Sequence, residues 1–273
     1  MKNILFIIVL IALTSCETVV DVDLNTAPER LVIDANINWE KGTTGNVQSI
    51  ILSKTTGYYN NDIPKVSNAS VFITNSSNTV FDFIEEPSAN NKPGQYTCQN
   101  FQPVLGETYT LTVISEGKTY TAIEKLMATP NITDIEQEDD LGLNNDQIGI
   151  KINYIDLPEV NNYYLIKTIS SVSVLPDLQI APDEYNQGNK IIGIYTHPDL
   201  KKDSTLNIKL FGISERYYNY MNLLIIAISG SDGPFQTTPT TVRGNIVNQT
   251  NPQEYALGYF RLGETNTITY IVE

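Results

Sequence analysis

The chain has 273 residues, 31 acidic against 17 basic, a formal net charge of −14 and one histidine. An acidic chain of this kind is a poor partner for nucleic acid, whose binding rests on Lys and Arg, so nucleic acid is excluded as a main partner. Two cysteines and one histidine leave no material for a Cys/His-rich zinc site or a disulfide framework.

The first residues read as a secretory leader. Lys2 gives the positive start, Ile4 to Leu13 is an unbroken apolar run, and Leu13-Thr14-Ser15 precedes Cys16. The run is about half the length a membrane-spanning helix needs. The reading is a lipoprotein signal over 1–15, with Cys16 as the lipidated first residue of the mature chain. Several acyl chains, at roughly 0.8 kcal/mol per buried CH₂, make a durable anchor. Cys98 is then the only thiol left, on an alternating strand-like segment where a small buried hydrophobe is expected.

Residues 16–29 read as an acidic tether carrying Glu17, Asp21 and Asp23. From 30 to 127 the pattern has period two and is rich in β-branched residues and Tyr. Strands are expected over Leu31 to Trp39, Val47 to Thr55, Ala69 to Thr74, Thr79 to Glu85, Gly94 to Gln99, Tyr109 to Ile114 and Lys118 to Ile123. Asn75-Ser76-Ser77-Asn78 and Ser115-Glu116-Gly117 read as hairpin turns. Six or seven short strands in about a hundred residues predict an immunoglobulin-like β-sandwich.

Ala128-Thr129-Pro130 marks a boundary, and 128–273 reads as a second β-rich domain with one packed helix. Glu136 to Asp146 is expected as an acidic loop, and Leu175 to Lys190 as a long loop. Strands are expected over Gln147 to Ile155, Asn162 to Val174, Ile191 to Tyr195 and Leu206 to Phe211. Ser214 to Ser229 is the helix, with Ser214 as its cap, Glu215 in the first turn, and Tyr217, Tyr220, Met221, Leu224 and Ile228 as its core stripe. Two closing strands, Ala256 to Leu262 and Thr267 to Val272, flank a turn at Gly263-Glu264-Thr265-Asn266. No repeat is visible.

Catalytic signatures are sparse. His197 sits in a turn-like Thr-His-Pro-Asp context, and there is no Gly-x-Ser-x-Gly elbow or histidine pair. No resident cofactor is expected. Calcium is the one metal to weigh, through Glu138, Asp139 and Asp140, with Glu136 and Asp146 nearby and Asp232 as a separate candidate. Tyr58 and Tyr59, in a polar loop, are candidate ligand contacts.

Several motifs together are specific: Leu31-Val32-Ile33, Val66 to Val71, Pro93-Gly94-Gln95-Tyr96, Gly117-Lys118-Thr119-Tyr120, Ser214 to Tyr220, Gly233-Pro234-Phe235, Gly244-Asn245-Ile246 and Leu257-Gly258-Tyr259-Phe260. Behind Cys16, this series resembles the Bacteroidota lipoprotein family catalogued as domain of unknown function 4249. The resemblance covers nearly the whole mature chain, and the C-terminal motifs carry it. It brings no catalytic residues. It implies an outer-membrane lipoprotein, often encoded beside a TonB-dependent transporter and assisting nutrient capture or transporter assembly; the anchored chain is expected on the cell surface rather than the periplasmic face. In that setting Asp203-Ser204-Thr205 matches a short O-glycosylation acceptor pattern centred on Ser204. The expected function is a lipid-anchored accessory or binding protein, not an enzyme. A structural or adhesive surface lipoprotein is the second reading, and a carboxylate-based hydrolase the third.

Overall fold

The computed structural model describes residues 28–57, 60, 62–85, 92–141, 147–158, 161–183, 187–229 and 241–273. The leader, Cys16, the tether to residue 27, Tyr58, Tyr59, Asp146 and Asp232 lie outside the described residues. Within these the chain is mainly β with one helix.

Seven strands form in the first half: β1 (Leu31–Glu40), β2 (Gln48–Lys54), β3 (Ser70–Asn75), β4 (Val80–Glu85), β5 (Gln95–Cys98), β6 (Thr108–Ser115) and β7 (Lys118–Met127). Each follows the period-two rule of a strand with one covered face. On β1, Ile33, Ala35 and Ile37 are buried while Asp34 and Asn38 are exposed. On β6, Tyr109, Leu111 and Val113 point inward. The turn between β3 and β4 is held by Asn75, whose side-chain oxygen accepts from the amides of Ser77 and Thr79 (3.1 and 2.8 Å).

The second half adds β8 (Ile132–Leu141), β9 (Gln147–Ile155), β10 (Tyr163–Ser170), β11 (Asp177–Pro182), β12 (Lys190–Thr196), β13 (Thr205–Ile213), α1 (Glu215–Ser229), β14 (Val247–Asn248) and β15 (Leu257–Ile271). The Glu136 to Asp140 stretch, expected as a loop, is part of β8. The strand lies at the edge of the β12-β9-β8 sheet, where outward charge is tolerated and discourages edge pairing. Glu138 pairs with Lys151 of β9, and Glu136 with Lys190 at 3.3 Å. The expected loop 175–190 contains β11.

The largest departure is at the C-terminus. The expected closing hairpin is one continuous 15-residue strand, β15. Its first part pairs in parallel with β1, from Val32↔Leu257 to Glu40↔Thr265. Leu262 and Gly263 pair in parallel with Leu126 and Met127 of β7. Its last part pairs antiparallel with β13, from Phe211↔Thr265 to Thr205↔Ile271. Gly263 sits where a turn was expected because β13 crosses it closely: a Cβ there would lie 2.2 Å from the Gly212 carbonyl oxygen.

The order β15-β1-β2-β5-β4-β3-β6-β7 therefore closes on itself through β15, a barrel-like sheet of eight strands and not an open sandwich of 30–127. The seven local strands leave β1 and β7 with unpaired edges; β15 covers that of β1, and β7 is met by β14 at Tyr120 and Thr121 and by β15 at Leu126 and Met127. The division at 128 does not separate the cores. Ile246, Ala256, Phe260 and Leu262 pack in the first core with Ile33, Ile50, Tyr109 and Leu126. The second core lies between the β12-β9-β8 sheet and β10, β13 and the end of β15, and includes Ile150, Ile152, Tyr154, Tyr164, Ile166, Ile208 and Val272.

Both units share one strand order. Numbering the strands within each, the first runs 1-2-5-4-3-6-7. The second runs 1-2-5 in one sheet (β8-β9-β12) and 4-3-6-7 in the other (β11-β10-β13-β15). The repeat is in the topology, although no repeat is visible in the residues. Backbone pairing joins strands 5 and 4 in the first unit, through Ile84↔Thr97 and Glu85↔Tyr96. In the second unit a side chain does this. The Gln179 amide of β11 donates to the Ile194 carbonyl of β12 (2.6 Å) and accepts from its N–H (3.3 Å). Gln137 of β8 treats Glu273 likewise, at 3.3 and 3.0 Å. Asn245 does the same for Phe260, at 2.8 and 2.9 Å, in a buried setting.

Each of these amides imitates the peptide of a neighbouring strand, and their worth follows burial. Asn245→Ala leaves a donor and an acceptor of Phe260 without partners and away from water, and is expected to cost about 2–4 kcal/mol. Gln179→Ala, where water can replace the amide, is expected to cost about 0.5–1 kcal/mol. Urea denaturation midpoints of the two variants test this ordering.

Candidate binding face beside the helix

Helix α1 starts as its sequence suggests. Ser214 Oγ accepts from the Tyr217 amide (3.2 Å) and the Ser214 carbonyl from the Tyr218 amide (2.9 Å). Glu215 lies in the first turn. Tyr217 and Met221 are buried and Leu224 packs beside them. The stripe ends there, because Ile228, expected in the core, is 72% exposed.

The helix covers part of the outer face of the β10-β13-β15-β1 sheet. Tyr259 packs against Tyr217 edge-on and against Tyr220, with both ring centroids at 4.8 Å. The Tyr259 hydroxyl donates to buried Glu124 (3.2 Å). Burial, then the Glu124 charge, pushes that phenol well above its ordinary range.

Arg261 is the most unusual residue on this face, at 3% exposure. Its Nε donates to the Asn36 side-chain oxygen (3.2 Å) and its Nη2 to that of Asn38. The guanidinium lies 4.9 Å from the Phe211 ring centroid and 5.3 Å from that of Tyr217. Its Nη1 has no hydrogen-bond partner among the described residues. Burial lowers its pKa, and the nearby Tyr217, Asp34 and Glu124 oppose that shift. Helical spacing over Tyr217 to Ile228 shows only an apolar stripe. The local signal for this site is an arginine among Tyr259, Phe260 and Leu262, a charge in an otherwise apolar stretch of β15.

Beyond the helix the same face is not covered by any of the described residues. A depression of about 280 Å³ lies there, lined by Asn38, Glu40, Lys167, Ile169, Lys209, Phe211 and Thr265. Lys167 and Lys209 stand directly opposite each other in register. Glu40 accepts from Thr265 Oγ1 (2.8 Å), the Thr267 amide (2.9 Å) and Thr267 Oγ1 (2.6 Å), so both its oxygens are engaged.

A second hollow, of about 450 Å³, opens where the chain enters β1, among Pro28, Arg30, Lys54, Glu116, Lys118, Glu254 and Tyr255. Arg30 and Arg243 each stack on the Tyr255 ring at 3.7 Å. Lys54 pairs with Glu116 at 2.7 Å, and Lys118 with Glu254. The hydrogen bond from Lys54 holds the Glu116 carboxyl below its usual range, and Lys118 does the same for Glu254. A depressed carboxyl keeps its bridge above the ordinary glutamate range, and the bridge is lost as pH falls through the folded value.

The sequence-derived candidates fall elsewhere. Glu138, Asp139 and Asp140 lie on β8, with Glu138 paired to Lys151 and Asp139 accepting from Gln137 (3.1 Å). No group of three His, Cys, Asp or Glu side chains among the described residues could hold a metal ion. The extended strand separates successive side chains to opposite faces, so the three acids do not converge. Ser204 is 4% exposed, and its Oγ accepts from the Lys201 amide (3.2 Å), so the folded turn does not offer that hydroxyl to a modifying enzyme. Cys98 is buried and its thiol donates to Asn100 (3.2 Å), and burial raises its pKa. His197 Nδ1 accepts from the Asp199 amide (3.2 Å), as expected of a turn.

The profile of the domain of unknown function DUF4249 matches residues 17–269. The chain belongs to the DUF4249 family. No curated protein matches it. Among solved structures, this DUF4249 chain is similar to a two-domain fibronectin type III segment of chicken tenascin, at 11% identity, over 60% of this chain and 83% of that one, with a TM-score of 0.22. It is also similar to a cytokine receptor complex, at 8% identity over 67% of this chain and 82% of that one, TM-score 0.23. A DUF4785 family protein from Legionella pneumophila is similar at 9% identity over 67% of this chain and 51% of that one, TM-score 0.26.

Proposed function

We propose that this DUF4249 protein is a lipid-anchored accessory or binding protein of the cell envelope, held through Cys16 in the outer membrane and displayed on the cell surface. Its partner in this reading is a TonB-dependent β-barrel transporter, which it assists in nutrient capture or assembly. The observation that carries the reading is the leader: Lys2, the apolar run Ile4 to Leu13, and Leu13-Thr14-Ser15-Cys16. A mainly β frame whose described residues leave two depressions open suits a binding role.

The reading is non-enzymatic. A carboxylate hydrolase needs one carboxyl raised so that it can donate a proton. The two described glutamates of the larger hollow with resolved shifts move the other way, each held ionised by a lysine.

At the level of fold, we read both units as immunoglobulin-like. Strand order supports this, since the neighbours 1-2-5 and 3-6-7 of both units correspond to strands ABE and CFG of such domains, with strand 4 paired to strands 5 and 3 in the first unit and to strand 3 alone in the second. Helix α1 then occupies the connection between the sixth and seventh strands of the second unit.

Affinity purification of the tagged lipoprotein from solubilised outer membranes tests the partnership. Recovery of a β-barrel transporter is expected. Recovery of the lipoprotein alone, under conditions that keep known barrel complexes intact, sinks the transporter reading and favours the adhesive one.

A further inference from the structure

We propose that the depression between Lys167 and Lys209 binds an oxyanion (carboxylate, sulfate or phosphate) carried on a small body with an apolar face. The inference is independent of whether a transporter is the partner.

The two lysines stand directly opposite across β10 and β13. Like charges in that position destabilise a sheet. Of the other described lysines, Lys41, Lys54, Lys118, Lys151 and Lys190 each have a carboxylate within 4 Å, and those without one do not stand opposite a second lysine in a strand pair. Neither Lys167 nor Lys209 has an ion-pair partner among the described residues. The one carboxylate in the lining, Glu40, gives both oxygens to Thr265 and Thr267 and does not reach them within 4 Å.

Concavity and surroundings indicate what fits. About 280 Å³ is below the usual range for drug-sized ligands, which points to a single charged group with a compact body. Ile169, 45% exposed, and Phe211 offer apolar contact for that body. Two lining residues, Asn38 and Phe211, are also the contacts of buried Arg261. A third positive charge thus lies directly behind the lining. In a chain of net charge −14, these three cations exceed the nearby carboxylates of Glu40 and Asp34, and this local excess attracts an anion that the rest of the surface repels. An oxyanion bridging two ammonium groups makes the charge-assisted hydrogen bonds that both lysines lack.

The test is ¹H–¹⁵N spectroscopy of the full-length lipoprotein in neutral detergent, titrated at fixed ionic strength with benzoate, with inorganic phosphate, and with benzamide as the uncharged control. Saturable shifts at the amides of Lys167, Lys209 and Thr265 are expected with the two anions and not with benzamide. Lys209→Met and Lys167→Met keep the aliphatic stems, and each is expected to weaken binding about tenfold or more. Lys209→Gln serves as the second variant if Lys209→Met does not give a native spectrum. Phosphatidylglycerol vesicles that compete, where phosphatidylcholine vesicles do not, would assign the oxyanion to a lipid headgroup, and failure to compete would assign it to a soluble ligand. Shifts that never saturate in the parent protein, or unchanged affinity in folded lysine variants, overturn the proposal.

Discussion

Phe260→Ala is expected to destabilise the protein by about 3–5 kcal/mol, a large share of the stability of an ordinary domain. Phe260 lies on β15, more than a hundred residues beyond the last of the seven local strands, yet it is fully buried in the first core. Its truncation removes a full aromatic side chain from a closed sheet whose other walls are fixed by pairing on both sides, so the site cannot collapse to fill the void. The backbone of the same residue is tied to Ala35 of β1 in register and to the Asn245 amide. The comparison is Ile271→Ala on the same strand, 58% exposed, which is expected to change stability by about 0.5 kcal/mol or less. Urea denaturation followed by circular dichroism distinguishes the two.

Gly258→Val is expected to cost about 4 kcal/mol or more, and to yield little folded protein. Two effects combine. The residue has φ of +92°, a conformation in which a β-branched side chain is strained. A Cβ there would also lie 2.1 Å from the Ile33 carbonyl oxygen, which belongs to the strand β15 must join. Gly42 separates the two effects. Its φ is +80°, but nothing lies within 4 Å of the position a Cβ would take. Gly42→Ala therefore carries strain alone and is expected to cost about 1 kcal/mol. If the two glycines prove equally tolerant, β1 and β15 are not packed as closely as described.

Local patterning made most strands legible. Alternation marks β1, β6 and β7 because one face of each meets the core. Ser214 and the Tyr217, Met221 spacing mark α1 because capping and periodicity act within a turn or two. Long-range pairing was not legible. Nothing in residues 257–271 says that one half joins a strand more than two hundred residues earlier while the other half joins β13, so Gly263 to Asn266 resembled a turn. The acidic run of β8 resembled a loop because its exposed face and its cationic partners, Lys151 and Lys190, come from other strands. The lysine-lined depression has no local signature at all. Lys167, Lys209 and Glu40 meet only through the sheet, and Arg261 was hidden by the apolar residues around it.

Because β15 pairs with β1, β7 and β13, the two units are expected to unfold as one cooperative body. Native-state hydrogen exchange measures this directly through the amides of Ile50 on β2 and Ile152 on β9, which report the first and second cores. In the parent protein the two should share one opening free energy. In Phe260→Ala, which touches only the first core, both should fall together by the same amount. Loss of protection at Ile50 with Ile152 unchanged would contradict the account, because it would mean that the second unit stands without the first and that β15 joins them in sequence only.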